Sequence, residues 1–301
     1  MAEGEILIFD RRALRRHRQR AARMGAAEFL LNEAAEQLAA RLDDVTRRFP
    51  RALVLGARGG VMTRALAGRG GIETLIEMEE AADILAMGSR CGTVAEAEAL
   101  PFAPGVFDLV VSPLALHWAN DLPGALLQLR QALRPDGLLL AALFGGETLG
   151  ELRRAFLEAE LAAEGGASPR VSPMADGRDL AGLLQRAGFA LPVVDSDRLT
   201  VTYGDAFALM ADLRAMGETN ALRERRRGLT RRATLMRMAE IYRELYGTAD
   251  GRIPATFEIV TLTAWAPHAS QPKPLRPGSA AARLADALGT VETSAGEKAR
   301  R

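Results

Sequence analysis

Apolar positions recur every three or four residues over residues 26–45, where Leu30, Ala34, Leu38, Leu42 and Val45 line one side of a helix. Phe49-Pro50 ends that helix, because a proline disfavours helical geometry in the residue before it. The texture then changes to short unbroken apolar runs. Arg51–Leu55, Ile72–Ile76, Phe107–Ser112 and Leu138–Phe144 read as strands covered on both faces. Helical stretches separate them: Val61–Ala67, Glu80–Met87, and Asp121–Arg134 with Asp121 as cap and Pro123 just inside. Pro135-Asp136-Gly137 reads as a turn, since proline sets φ and glycine permits φ > 0. Strands alternating with helices predict βαβ units and an α/β fold, with a mostly parallel sheet.

The second half continues less regularly. Thr148 and Glu151 have capping-box spacing for a helix reaching about Glu164. A loop follows over Gly165–Pro173, then a short helix Asp179–Ala187 closed by Gly188. Leu191–Asp195 and Leu199–Tyr203 read as two strands, and the alternating Phe257–Trp265 as the last, antiparallel one. Helices predicted at Asp205–Met216 and Thr230–Tyr246 make an insertion over about 204–250, placed to cover a pocket. At the other end, residues 10–23 form an arginine-rich helix with Asp10 as its cap; such a face suits phosphate, an acidic partner, or simply solvent. The organisation expected is a helical extension over 1–50, a main domain over 51–269 and a flexible tail over 270–301, where prolines and small polar residues accumulate.

Composition narrows the class. The 301 residues carry a net charge of +1 and 48% hydrophobic residues, the balance of an ordinary globular protein. Cys91 is the single cysteine, which excludes a disulfide scaffold. No run is long and apolar enough for a membrane span, and the acidic start lacks the basic and apolar regions of a secretory signal, so a cytoplasmic location is expected. Lysine occurs at Lys273 and Lys298, and the rest of the 39 basic residues are arginine. The arginine clusters lack interleaved aromatics, so nucleic acid is not an expected partner.

Candidate chemistry starts at the strand–turn–helix over 51–67. The turn Gly56-Ala57-Arg58-Gly59-Gly60 lets backbone approach a ligand at a helix N-terminus. Glu77 follows at the end of the second strand, where an acid can accept both hydroxyls of a ribose; Glu79 takes that place if the strand runs two residues longer. Downstream, EAEALPFAPGVFDLVVSPLALHW joins an acid, a Leu-Pro-Phe, a buried strand and an apolar-aromatic loop.

These features resemble the class I S-adenosylmethionine-dependent methyltransferases. The resemblance implies a Rossmann-like, seven-stranded sheet and S-adenosylmethionine as cofactor. It implies that Gly56, Ala57 and Gly59 face the methionine part, Glu77 the ribose, Glu96 and Ala97 the adenine, and Ser112 and Leu114 the methyl donor. The longer blocks LALHWANDLPGALLQLRQALRPDGLLLAALFGGETLGELR, GGASPRVSP, LMADLRAMGETNAL and SQPKPLRPGSA are similar to those of the complex I assembly factor 5 family and its bacterial relatives. More distantly, the chain resembles the malonyl-carrier-protein methyltransferase of biotin synthesis. The nearer family implies a protein substrate, a subunit of respiratory complex I, with arginine hydroxylation as an activity and membrane contact only through that partner. One departure stands out: the family pattern D-x-G-x-G-x-G has Val54 at its aspartate and Arg58 at its middle glycine. That removes an acid from the donor's ammonium group and adds a cation near its sulfonium.

Candidate catalytic residues sit after the fourth and fifth strands. His117 and Trp118 suit acceptor contact or acid–base work, or a packed aromatic pair. Glu147 suits a bidentate grip on a guanidinium, or a helix N-terminus. Gly217-Glu218-Thr219-Asn220 ends an insertion helix as a C-cap turn or as part of a site. No metal is expected, since His17, His117 and His268 lack the spacing of an iron site. The reading is an S-adenosylmethionine-dependent methyltransferase-type enzyme acting on a protein substrate. Its alternative is a non-catalytic assembly factor that keeps the fold as a scaffold.

Overall fold

The computed structural model describes residues 7–88, 91–272, 279 and 283–291. In chain order, α1 (Arg11–Met24) and α2 (Phe29–Asp43) precede β1 (Arg51–Leu55), α3 (Val61–Ala65), β2 (Thr74–Glu79), α4 (Ala82–Ala86), β3 (Gly92–Val94) and β4 (Phe107–Pro113). Then come α5 (Leu122–Ala132), β5 (Leu133–Phe144), α6 (Gly150–Glu164), α7 (Gly177–Arg186), β6 (Ala190–Tyr203), α8 (Ala206–Ala215), α9 (Arg232–Tyr246) and β7 (Ile253–Trp265). Over 268–301, the described residues contain α10 (Leu284–Leu288). The expected tail over 270–301 falls largely outside the described residues.

The seven strands form one sheet in the order β3-β2-β1-β4-β5-β7-β6. β1 to β5 pair in parallel, while β7 runs antiparallel to both β5 and β6. The expected parallel sheet with an antiparallel last strand is therefore present. All seven residues of β4 are buried, as the unbroken apolar run requires. α2, α6, α8 and α9 cover one face of the sheet, and α5 and α7 the other. β7 serves both layers: Ala255, Phe257 and Ile259 enter the first, and Val260, Leu262 and Ala264 the second. The chain order reverses between β1 and β4, so the crevice lies at the carboxyl ends of those strands.

Four local expectations change. β2 begins at Thr74 rather than Ile72, because Glu73 and Thr74 both donate to the Pro50 carbonyl and extend the turn by two residues. The strand accordingly ends at Glu79, and Glu77 lies within it. The two strands expected over 191–203 are one, β6, because its polar middle pairs continuously with β7 from Asp195–Thr261 to Arg198–Glu258. The Pro135-Asp136-Gly137 turn lies inside β5 as a break in register, with Asp136 at φ 64°. The Thr148–Glu151 capping box does not form. Glu151 accepts instead from the amide and hydroxyl of Thr256, while Thr148 exchanges hydrogen bonds with the Glu258 backbone. Both side chains tie α6 to β7.

The N-terminal helix is held at the crevice. Asp10 caps α1 by accepting from the Ala13 amide at 3.0 Å and pairs with Arg225. Phe9 bridges to Leu222 and packs edge-on against Trp118, with ring centroids 5.1 Å apart. The exposed face of α1 carries Arg12, Arg16 and Arg20, while Arg11, Arg15 and Arg18 turn toward the sheet. Among the described residues, no helix is long and apolar enough to cross a membrane.

Candidate active site

Two chambers lie near the carboxyl edge; Trp118 and Glu218 line the larger one, and His117 is buried behind them. The first is built on the glycine turn. Gly56 sits at φ 87°, and a Cβ there would lie 2.8 Å from the Ala115 Cβ, so only glycine lets β1 and the loop after β4 approach this closely. The Gly56 and Ala57 amides are committed to the Met78 carbonyl, at 2.8 and 3.3 Å. Gly56, Glu79, Ala97 and Ala115 line a narrow cleft closed by Arg11 and Arg18. Beyond Arg18, Arg58, Gly59, Glu28 and Met216 line a cavity of about 260 Å³.

The acids of this edge are met by α1. Arg11 lies 2.9 Å from Glu80 and 3.6 Å from Glu96, and Arg15 lies 3.2 Å from Glu96. Glu79 is 2% exposed, and its oxygens accept from the Glu80 amide at 2.9 Å and the Arg58 amide at 3.4 Å. Glu79 thus stands at the level of Gly56, where Glu77 was expected. Glu77 is equally buried, yet it accepts from the Thr63 hydroxyl beneath α3 and lines neither chamber of the cleft. Glu96 is half-exposed at the rim, with Ala97 buried behind it. Ser112 is fully buried in β4. Leu114, at φ 46°, sends its side chain into the core and leaves its backbone to shape the loop.

The second chamber is a cavity of about 400 Å³ between α6, α8 and β7. Trp118, Phe144, Phe156, Leu213 and Phe257 give it aromatic and apolar walls. Its arginines are mostly spoken for: Arg170 pairs with the buried Glu160, Arg225 with Asp10, and Arg226 with Glu164. Glu218 is the carboxylate that lines it, and it does so from the side of the glycine turn.

Glu218 organises the wall. Its Oε1 is 2.5 Å from the Arg58 Nη2, and its Oε2 accepts from the Trp118 Nε1 at 2.8 Å and lies 3.2 Å from the His117 Nε2. Burial would raise its pKa, but Arg58, His117 and Arg18 hold it well below the usual carboxylate range. Burial pushes the His117 pKa down, and Glu218 offsets this in part, so the ring is neutral at pH 7. His117 also stacks at 4.9 Å on Phe144. The turn that presents Glu218 is the C-terminus of α8, where the Glu218 amide donates to the Leu213 carbonyl at 2.9 Å. The segment Gly217-Glu218-Thr219-Asn220 is therefore a helix cap, and its Glu218, Thr219 and Asn220 line the cavity.

The structure brings His117 and Trp118 together, and it separates them from Glu147. Glu147 is half-exposed, pairs with Arg198 on β6 and lines neither chamber. An acid gripping a guanidinium does occur there, but the guanidinium is the chain's own. Arg58, in the glycine turn, lines the 260 Å³ cavity and points its guanidinium at Glu218. Val54, at the aspartate position of the family pattern, is wholly buried in the core. Among the described residues, no group of three or more His, Cys, Asp or Glu could hold a metal ion.

Comparison with known proteins agrees with this architecture. Residues 53–141 match the family described as methyltransferase domain. The chain is 40% identical over 288 residues to arginine-hydroxylase NDUFAF5, mitochondrial, from Danio rerio, covering 93% of this chain and 89% of the relative. It is 38% identical over 275 residues to malonyl-[acyl-carrier protein] O-methyltransferase from Halorhodospira halophila, covering 88% and 91%. A solved structure assigned to the methyltransferases, from Bacillus halodurans C-125, superposes with a TM-score of 0.54 at 15% identity, covering 77% of this chain and 99% of that one, which speaks for the fold. The chain belongs to the NDUFAF5 family of methyltransferase-domain proteins, whose cofactor class is S-adenosylmethionine.

Proposed function

We propose that this protein is an S-adenosylmethionine-dependent enzyme that modifies an arginine side chain of a protein partner, a subunit of a respiratory complex I, in the compartment where that subunit is assembled. The observation that carries the reading is Glu218. A buried, ionised carboxylate faces the 400 Å³ cavity from the donor side and already holds one guanidinium, that of Arg58. Its Oε1 accepts from Arg58 and keeps a second lone pair, which can take one charge-assisted hydrogen bond from a substrate guanidinium.

The residues around the first chamber suit the cofactor in kind: Glu79 suits the ribose hydroxyls, and Glu96 and Ala97 border the place of the adenine. The cleft measures about 20 Å³, so it must widen for the nucleoside to enter. When bound, S-adenosylmethionine supplies an activated methyl group, so the protein's task is alignment of acceptor and donor. Glu218 orients the guanidinium. His117, neutral and buried behind it, holds the Glu218 carboxylate through Nε2, and the proton that leaves as the new N–C bond forms passes to solvent. Trp118 and Phe144 exclude water from the wall.

A second reading is favoured by one feature. Arg214 lines the same cavity and has no ion pair among the described residues, so a carboxylate acceptor, like the malonyl group in the other relatives' name, would find a cation there.

The test is mass spectrometry of the partner subunit from cells carrying the unaltered chain or the Glu218→Gln variant. One arginine gaining a methylene, and losing it in the variant, supports the reading; a gain of one oxygen instead assigns the hydroxylation named in the relatives. An unmodified subunit alongside intact assembly would sink the enzymatic reading in favour of the scaffold. Calorimetric titration with S-adenosylmethionine, beside Glu79→Ala and Glu77→Ala, then decides which acid serves the ribose.

A further inference from the structure

Arg18 is a buried cation whose guanidinium is not satisfied. The side chain is 5% exposed, and Nε and Nη2 have no hydrogen-bond partner among the described residues. Its nearest acid is Glu79, at 4.0 Å from Nη1, beyond hydrogen-bond length. Both Glu79 oxygens already accept backbone amides. Glu218 lies within electrostatic reach, but its hydrogen bonds go to Arg58, His117 and Trp118 and none goes to Arg18. Its helix neighbours Arg11 and Arg15 stand closer to their acids, 2.9 Å from Glu80 and 3.2 Å from Glu96, and are more exposed than Arg18.

A buried charge with donors left over is costly and calls for a further partner. Among the described residues none stands within hydrogen-bond reach of Nε and Nη2, which leaves them free for a ligand. The position says where. Arg18 lines both the narrow cleft, with Gly56 and Glu79, and the 260 Å³ cavity, with Gly59 and Arg58. It stands where the nucleoside end passes into the other end of the donor. Its backbone is pinned from behind, because Gly217 at φ 78° lies so close that a Cβ would come within 3.2 Å of the Arg18 Cα. The fork is thus held in place before a ligand arrives.

The donor carries one anionic group, the α-carboxylate of its methionine part. On the donor reading above, we propose that Arg18 binds this carboxylate through Nε and Nη2, and that α1 is thereby a wall of the cofactor site. The planar fork matches a carboxylate in two parallel hydrogen bonds. It also supplies polar anchoring at the methionine end in a chain with Val54 where the family has an acid.

The experiment is calorimetry on the full chain with two probes, S-adenosylhomocysteine and methylthioadenosine. They share the nucleoside and the thioether, and the second lacks the amino and carboxylate groups. Arg18→Gln should weaken S-adenosylhomocysteine by about 10- to 100-fold, the range for a charge-assisted hydrogen bond, and change methylthioadenosine less than about twofold. Arg18→Lys, which keeps the charge and loses the fork, should fall between. Equal losses for both probes, or no loss for either, overturn the proposal. Should the variants fail to fold, the unaltered chain decides: it should prefer S-adenosylhomocysteine to its carboxamide by at least about tenfold, and equal affinity overturns the proposal. If the unaltered chain binds neither probe, the donor reading falls and this proposal with it. If it binds both equally, this proposal falls alone.

Discussion

The two chambers at the sheet edge are built from different parts of the chain. The narrow cleft draws on Gly56, Glu79, Ala97 and Ala115, all within the first parallel units, with α1 laid across them. The larger cavity gathers Trp118 after β4, Phe156 on α6, Leu213 and Glu218 at the end of α8, and Phe257 on β7. The first is closed by charge, with guanidinium groups on the strand-end acids. The second is walled by aromatic rings, and most of its arginines are neutralised in pairs. On the function proposed, the locally coded chamber takes the common cofactor and the one assembled from distant segments takes the particular acceptor. The Arg58–Glu218 pair links the two, with Arg58 on the lining of one cavity and Glu218 on that of the other.

The largest expected effect breaks that link. Glu218→Ala leaves Arg58 buried without its partner and should cost about 3–5 kcal/mol of stability. Arg58→Met combined with Glu218→Met should recover most of it, measured by urea unfolding. Full recovery with lost arginine modification would separate the structural role of Glu218 from its acceptor role.

Gly217→Ala should cost about 1–3 kcal/mol, since φ 78° and the Arg18 backbone both oppose a Cβ. It should weaken cofactor binding as well, although Gly217 belongs to the acceptor-side insertion. A variant that loses stability but leaves the donor affinity unchanged would mean that the chambers are not coupled through this contact.

Acidification should act in two steps. His117 has a folded pKa below its ordinary 6.5, so the unfolded chain binds its proton first and stability falls as pH drops below about 6.5. Glu218 has a folded pKa below its ordinary 4.5, so its contribution is complete above that value and is lost as pH falls below it. Thermal midpoints across pH would show both steps. The lower one should shrink in the Arg58→Met, Glu218→Met chain. Stability that is flat between pH 7 and 5 would contradict a buried neutral His117.

The smallest effect is the contrast. Glu147→Ala removes a half-exposed ion pair with Arg198 and should change stability by less than about 0.5 kcal/mol, with modification unaltered. A large loss of activity would return Glu147 to the site.

The order of strands and helices through β5 was legible, except for the three-residue edge strand β3, because each longer unit announces itself locally, in an unbroken apolar run, a cap or a glycine. The glycine turn and the His117-Trp118 pair were legible for the same reason. The identity of the strand-end acid was not, because two turn amides held by Pro50 shift β2 by two residues, and Glu77 and Glu79 look alike in a linear reading. Glu147 and Glu218 are likewise both acids beside glycines near helix ends. What separates them is the company each keeps: Arg198 in solvent for one, Arg58, His117 and Trp118 in the interior for the other.

The amino-acid sequence by itself determined the α/β class, the parallel sheet with its antiparallel last strand, and the places where backbone must come close, because propensity, periodicity and glycine conformation act over a few residues. The tertiary structure decided which carboxylate is buried, which guanidinium lacks a partner and which chamber each faces. Desolvation and ion pairing depend on neighbours brought from far along the chain: Arg58 and Glu218 are 160 residues apart, and no local pattern couples them.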